Sequence, residues 1–130
     1  ELIARTETGK AANLGSMVGS ISTGISTDKM WIATIDSRTR RTPPAEFDHL
    51  EMNGVTIAID EYFRLYAKGG GWEDLLHPCD DNASAANVCN CRCAMGYVVN
   101  RDKNNNVITL EKNPPKGDAG FIWATLSTLL

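Results

Sequence analysis

Cys79, Cys89, Cys91 and Cys93 crowd into one short stretch of a 130-residue chain. In an extended backbone, residues two apart point the same way, so Cys91-Arg92-Cys93 presents two thiols on one face. Two such thiols can hold a zinc ion when two further ligands join them. Cys79, Cys89, His49 and His77 are the candidates for those positions. Paired cysteines of structural zinc sites are usually separated by two or more residues, so Cys-x-Cys does not by itself fix a metal. Cys79 bridged to Cys89 or to Cys93 would be a second chemistry. Thiols packed as small apolar groups in a core would be a third. The sequence leaves all three open: no cofactor is required, and zinc is the alternative.

A second set of residues has acid–base character. His49 follows Asp48, and a histidine beside a carboxylate can act as a general base. With Glu7 and Asp36 it would make a small hydrolase or nuclease-like centre. The chain shows no nucleophile elbow, no phosphate loop, no dinucleotide glycine pattern and no His-Glu-x-x-His. The structural reading is preferred. In it, Glu7 joins Arg5, Arg38 or Arg92 in a buried ion-pair network, because a carboxylate on an apolar helix stripe is costly unless paired. That network would pin the first helix to the end of the first strand and to the Cys-x-Cys segment. His49 would hold a long loop through hydrogen bonds, and His77 would be an exposed loop histidine. Arg38, Arg40 and Arg41 form a local basic cluster able to touch phosphates. The whole chain, with 13 basic and 16 acidic residues, carries a formal charge of -3. Dedicated nucleic-acid modules are usually basic.

These residues need elements to carry them. Residues 1 to about 22 have helical spacing, with Ile3, Leu14, Met17, Val18 and Ile21 apolar, and Glu7 placed to pair with Lys10. Gly15 and Gly19 would let another element approach that helix closely. Lys29–Asp36 alternates as a strand with apolar residues on both faces, which predicts a central, doubly covered strand. A helical turn is expected over 45–50, a turn at Asn53-Gly54, and a short strand over 55–59. Gly69-Gly70-Gly71 reads as a loop, and Asp80-Asp81-Asn82 as the cap of a short helix over 83–88. Cys91–Asn100 reads as a strand, Asp102–Asn106 as a turn, and Val107–Leu110 as the hairpin partner. The fold class expected is α+β: an N-terminal helix packed on a small, mostly antiparallel sheet with long loops. Residues 1–112 would be the domain and 113–130 a C-terminal apolar tail. The longest apolar run, Phe121–Ala124, is far short of the roughly 20 residues that span a bilayer. The chain opens at Glu1 inside a helical pattern, so a piece of a longer protein is expected.

The order of the motifs is more specific than any one of them. Ala4-Arg5-Thr6-Glu7 comes first. A strand with Trp31 then runs into Asp36-Ser37-Arg38-Thr39-Arg40. His49 follows with Gly54 five residues on. Leu76-His77-Pro78, Asp80 and Ala85-Ala86-Asn87 come next, and Asn90-Cys91-Arg92-Cys93 closes the series. In this order, over residues 3 to 99, the chain resembles the phage Mu F-like and SPP1-type minor head (head-morphogenesis) proteins. It departs from them in the longer stretch between Arg40 and His49 and in the extra Cys79 and Cys89. The resemblance implies a minor capsid component near the portal, acting in prohead assembly and in DNA packaging or ejection. Its place would be the virion, at the capsid interior or portal vertex, and the host cytoplasm during assembly. Its implied partners are the portal protein, the major capsid or scaffold protein, and DNA held without sequence preference, with no membrane. Arg5, Glu7, Asp36, Arg38, Arg40, His49, Asn90 and Arg92 would then be motif residues that hold the fold. The rival remains a virion-associated hydrolase or nuclease-like enzyme.

Overall fold

The computed structural model describes residues 2–34, 47–80, 82–88 and 91–129, with the backbone alone at Leu2, Ile3, Arg5 and Leu129. The Arg5 side chain and residues Asp36, Arg38, Arg40, Arg41, Cys89 and Asn90 lie outside the described residues. Eight elements follow one another: α1 (Leu2–Ser22), β1 (Thr27–Ile32), β2 (Thr56–Ala58), β3 (Phe63–Tyr66), β4 (Trp72–Leu75), α2 (Ala85–Val88), β5 (Ala94–Val99) and α3 (Gly117–Leu129). Helices and small antiparallel sheets are mixed, so the fold is α+β.

β1 is the middle strand of a three-stranded sheet ordered β2-β1-β5. It pairs antiparallel with β5 from Thr27↔Val99 to Ile32↔Ala94, and with β2 from Asp28↔Ala58 to Met30↔Thr56. Past β2 the pairing continues as Trp31 N–H to the Val55 carbonyl and Gly54 N–H to the Trp31 carbonyl. Gly54 has φ +87°, the left-handed turn that Asn53-Gly54 announces. The strand is central, as expected, but covered on one face. Thr27, Lys29 and Trp31 are buried, whereas Met30 is half-buried and Ile32 exposed. The apolar residues on its second face are therefore not a second core.

α1 lies against β5 and α3. Its buried stripe is Thr6, Asn13, Met17 and Ile21, spaced as one helical face. Leu14, expected on that stripe, is exposed. Nothing lies within 4 Å of a side chain built at Gly15 or Gly19, so neither is a point of close approach. Gly9 is: a Cβ there would sit 3.0 Å from Cys79 Sγ. The helix ends in a left-handed Gly24 (φ +74°) whose N–H bonds the Ile21 carbonyl.

Between β2 and β5 the chain forms a second sheet, the hairpin β3–β4, in register from Phe63↔Leu75 to Tyr66↔Trp72. Its turn is built on Gly70 and Gly71, both at positive φ. Only the glycine loop was expected here; the two strands are short and carry Arg64, Glu73 and Asp74, which obscure the alternation. On its exposed face Arg64 makes a bidentate bridge to Asp74 (2.9 and 3.0 Å) and stacks over Trp72. α2 is shorter than predicted and is capped differently. The Ser84 carbonyl accepts from Asn87 and Val88 N–H, while Asp80 accepts from Leu76 and Asn82 N–H instead.

Asp102–Asn106 is a turn, with Asn105 at φ +65°. Its outgoing arm makes isolated bridges, Arg101↔Val107 and Ile25↔Thr109, rather than a strand. Residues 113–116 lead into α3, which carries the C-terminal apolar segment and packs against α1. Ala119 is fully buried, the Tyr62 hydroxyl donates to Asp118, and Lys116 N–H donates to Asp60. That hydrogen bond from Tyr62 to Asp118 pushes the Tyr62 pKa up to about 12. No helix among the described residues is long and apolar enough to cross a membrane.

Candidate metal centre

The three-residue lead into β5 is extended but precedes the strand proper. Its alternation still turns Cys91 and Cys93 inward and leaves Arg92 half-buried. The Thr34 hydroxyl donates to the Arg92 carbonyl at 2.8 Å and anchors the segment to the end of β1. From α1, Asn13 donates to the Cys93 carbonyl (3.1 Å) and the Pro78 carbonyl (3.0 Å), clasping both cysteine-bearing segments.

His49 enters from the turn before β2. Its Nδ1 lies 3.5 Å from Cys91 Sγ and 3.7 Å from Cys93 Sγ. These three ligand atoms lie within 4.8 Å of one another. The thiol of Cys79 hydrogen-bonds Cys91 and approaches the Cys91 carbonyl at 3.6 Å. All are sealed from solvent: His49 is 1% exposed, Cys79 0%, Cys91 3% and Cys93 7%. Hydrogen bonds from Cys79, then from Cys93, hold the Cys91 thiol far below its usual range against the opposing effect of burial.

The imidazole is oriented from behind. His49 Nε2 lies 2.7 Å from Asn87 Oδ1, and Asn87 Nδ2 donates to Glu73 Oε1 at 3.0 Å. Glu73 accepts only, so the Asn87 amide must turn its nitrogen to Glu73 and its oxygen to His49. Nε2 therefore carries the proton, and in the neutral ring the Nδ1 lone pair faces the thiols. Burial works against the charge of Glu73, but hydrogen bonds from Asn87 and from the Ser84 N–H and hydroxyl hold its pKa below the ordinary value. Trp31 packs edge-on against the His49 ring at 5.4 Å, fixing its plane.

The other candidates fall elsewhere. Glu7 is not in a buried network: its side chain is 62% exposed and pairs with Lys10 at 3.0 Å, one helical turn away. His77 is buried rather than exposed, its Nδ1 directed at the Pro78 carbonyl (2.8 Å), and it stands outside the His49 cluster. The Asp36, Arg38 and Arg40 expectations lie outside the described residues, as do those for Cys89 and Asn90. Asn13 and Glu73 were missed, and Asn87 stood only as part of the Ala85-Ala86-Asn87 motif, with no role at the site. Asn13 could have been found as the amide one turn beyond Gly9 on the same helix face. Glu73 carries no local signal.

The donor set, one imidazole nitrogen and thiol sulfurs, is what borderline and soft cations take. A general base would need an open cleft with a carboxylate converging on it. His49 is enclosed, and Glu7 points to solvent.

Over 101 residues the chain is 33% identical to minor head protein GP7 of Bacillus phage SPP1, covering 75% of the chain and 29% of that protein. Over 100 residues it is 31% identical to the NAD(+)–arginine ADP-ribosyltransferase EFV of Enterococcus faecalis, covering 75% of the chain and 18% of that protein. The chain thus spans less than a third of the length of either relative. No family model matches the chain, and no solved structure matches it significantly. The first likeness supports grouping the chain with phage minor head proteins.

Proposed function

We propose that the chain is the head-morphogenesis domain of a phage minor head protein of the Mu F-like kind. It works through its surfaces at the portal vertex, in prohead assembly and in DNA packaging or ejection. The likeness to the SPP1 minor head protein over three quarters of the chain carries this reading. The enclosed His49 and the solvent-facing Glu7 favour it over a hydrolase or nuclease-like centre. Partners are then the portal protein and the major capsid or scaffold protein. The Arg38, Arg40, Arg41 cluster would meet DNA phosphates without reading sequence.

The likeness to the ADP-ribosyltransferase fits a module that accompanies different partner segments. The matched part is 18% of that protein, so its activity is not carried over. The test is to assemble proheads from the same genome's capsid, scaffold and portal proteins with the full-length protein. Mass spectrometry should find the protein in portal-containing proheads and lose it from portal-less shells. Equal amounts in both would remove the portal assignment. Absence from both would remove the head-protein reading altogether.

A further inference from the structure

We propose that His49 Nδ1, Cys91 Sγ, Cys93 Sγ and Cys79 Sγ bind a structural zinc ion that ties the 77–80 loop and the lead into β5 to the turn before β2. Spacing carries the argument. Zinc bonds of about 2.3 Å to sulfur and about 2.0 Å to nitrogen place tetrahedral neighbours about 3.6 Å apart for N and S. The two His49–cysteine distances are 3.5 and 3.7 Å. Three donor atoms, from the turn at His49 and from the Cys91–Cys93 segment, therefore already stand near three corners of a zinc tetrahedron. Cys79 is the remaining described cysteine, and its thiol lies 3.6 Å from the Cys91 carbonyl. Its Sγ stands outside the group of three that lie within 4.8 Å of one another, and it closes onto the ion as the fourth ligand.

Three further observations agree. The Glu73–Asn87–His49 chain fixes the tautomer that leaves Nδ1 as the ligand, the arrangement by which outer residues orient metal-bound histidines. The enclosure of all four donors matches a closed structural site rather than a catalytic one with an open position. Cys79 holds a left-handed backbone (φ +66°), rare for a non-glycine residue, and Gly9 leaves just the room its sulfur occupies. Nitrogen and sulfur donors suit zinc and reject magnesium and calcium. All three sulfurs bind as thiolates, the protons still carried passing to solvent, and the neutral imidazole loses none.

The test uses the whole chain, expressed with zinc and purified under reductant. Elemental mass spectrometry should find about one zinc per chain, as a structural site of this kind requires. A strong chelator should strip the zinc, make the three thiols reactive and lower the melting temperature, and added zinc should reverse all three. Cobalt substitution should give the visible bands of a tetrahedral thiolate site. Cys89→Ser should keep the metal, Cys79→Ser should weaken it, and Asn87→Ala should lower affinity 10- to 100-fold. Wild-type chain that takes up no zinc and melts identically with and without chelator would overturn the proposal. So would a disulfide among these cysteines in freshly purified protein. Zinc held by Cys79→Ser as tightly as by wild type, and lost in Cys89→Ser, would overturn the ligand set.

Discussion

Lys29 shows what a single side chain costs in this fold. It sits on the inward face of β1 with its ammonium bonded to the Leu76 carbonyl at 2.7 Å and 5.4 Å from the centre of the Phe63 ring. Desolvation lowers its pKa from 10.5 to about 8, against the opposing pull of Asp60, Asp80 and Glu61. Below pH 8 the lysine is charged in both the folded and unfolded states, and the cost of burying the charge is felt in full. Between pH 8 and 10.5 the unfolded chain binds the extra proton, so stability rises with pH through that window. The gain is about 3 kcal/mol by pH 10.5, taking about 1.4 kcal/mol per pKa unit. Urea unfolding of wild type and Lys29→Met at pH 7.5 and pH 10 isolates it, because groups common to both proteins cancel. Wild type should gain on the variant as pH rises. Parallel profiles would mean that Lys29 is not desolvated. At the same scale Asn87 decides which nitrogen of His49 faces the sulfurs, a choice that no property of the histidine itself makes.

At the scale of elements, α1 has three glycines with different meanings. Gly15 and Gly19 face open space inside a helix, where alanine is favoured by about 1 kcal/mol. Gly9 meets Cys79 Sγ, and a methyl group there would have to displace a sulfur held among buried neighbours. Gly15→Ala and Gly19→Ala should each therefore stabilise the protein by about 0.5–1 kcal/mol. Gly9→Ala should forfeit that gain and destabilise by about 1 kcal/mol through overpacking. Thermal melts of the three variants compare them directly. A Gly9→Ala protein as stable as the other two would show that the helix has room to move off the sulfur cluster. The β3–β4 hairpin has the complementary role of carrying Glu73 to the amide that orients His49.

For the molecule as a whole, α3 decides whether the core is closed. Ala119 is fully buried, Trp123 reaches the turn at Gly24, and a Cβ at Gly120 would lie 2.5 Å from the Pro115 carbonyl oxygen. Helix α3 is thus packed into the same core as the described residues before it, whose Met17 and Ile21 lie on the neighbouring helix. Truncation after Lys112 should uncover that core, lower the melting temperature by more than about 5 °C and raise binding of a hydrophobic dye. If the truncated chain melts with the full one, the segment is an appendage to the core.

What the sequence determined by itself was the local part. The long first helix, the central position of β1, the Asn53-Gly54 and Asp102–Asn106 turns and the inward alternation of Cys91 and Cys93 all follow from periodicity and turn chemistry. So does the pairing of Glu7 with Lys10, one helical turn apart. Tertiary structure decided which face of each element is covered and which distant group each polar side chain meets. Ile32 and Leu14 look like core by their type, yet they are exposed, because sheet and helix each have one partner-bearing side. His77, read as a surface histidine, is buried by the packing of its loop. The site itself joins His49 to Asn87 across 38 positions and to Cys91 across 42. Periodicity extends only over neighbouring turns and strands, so a constellation closed across such separations exists only once the chain has folded.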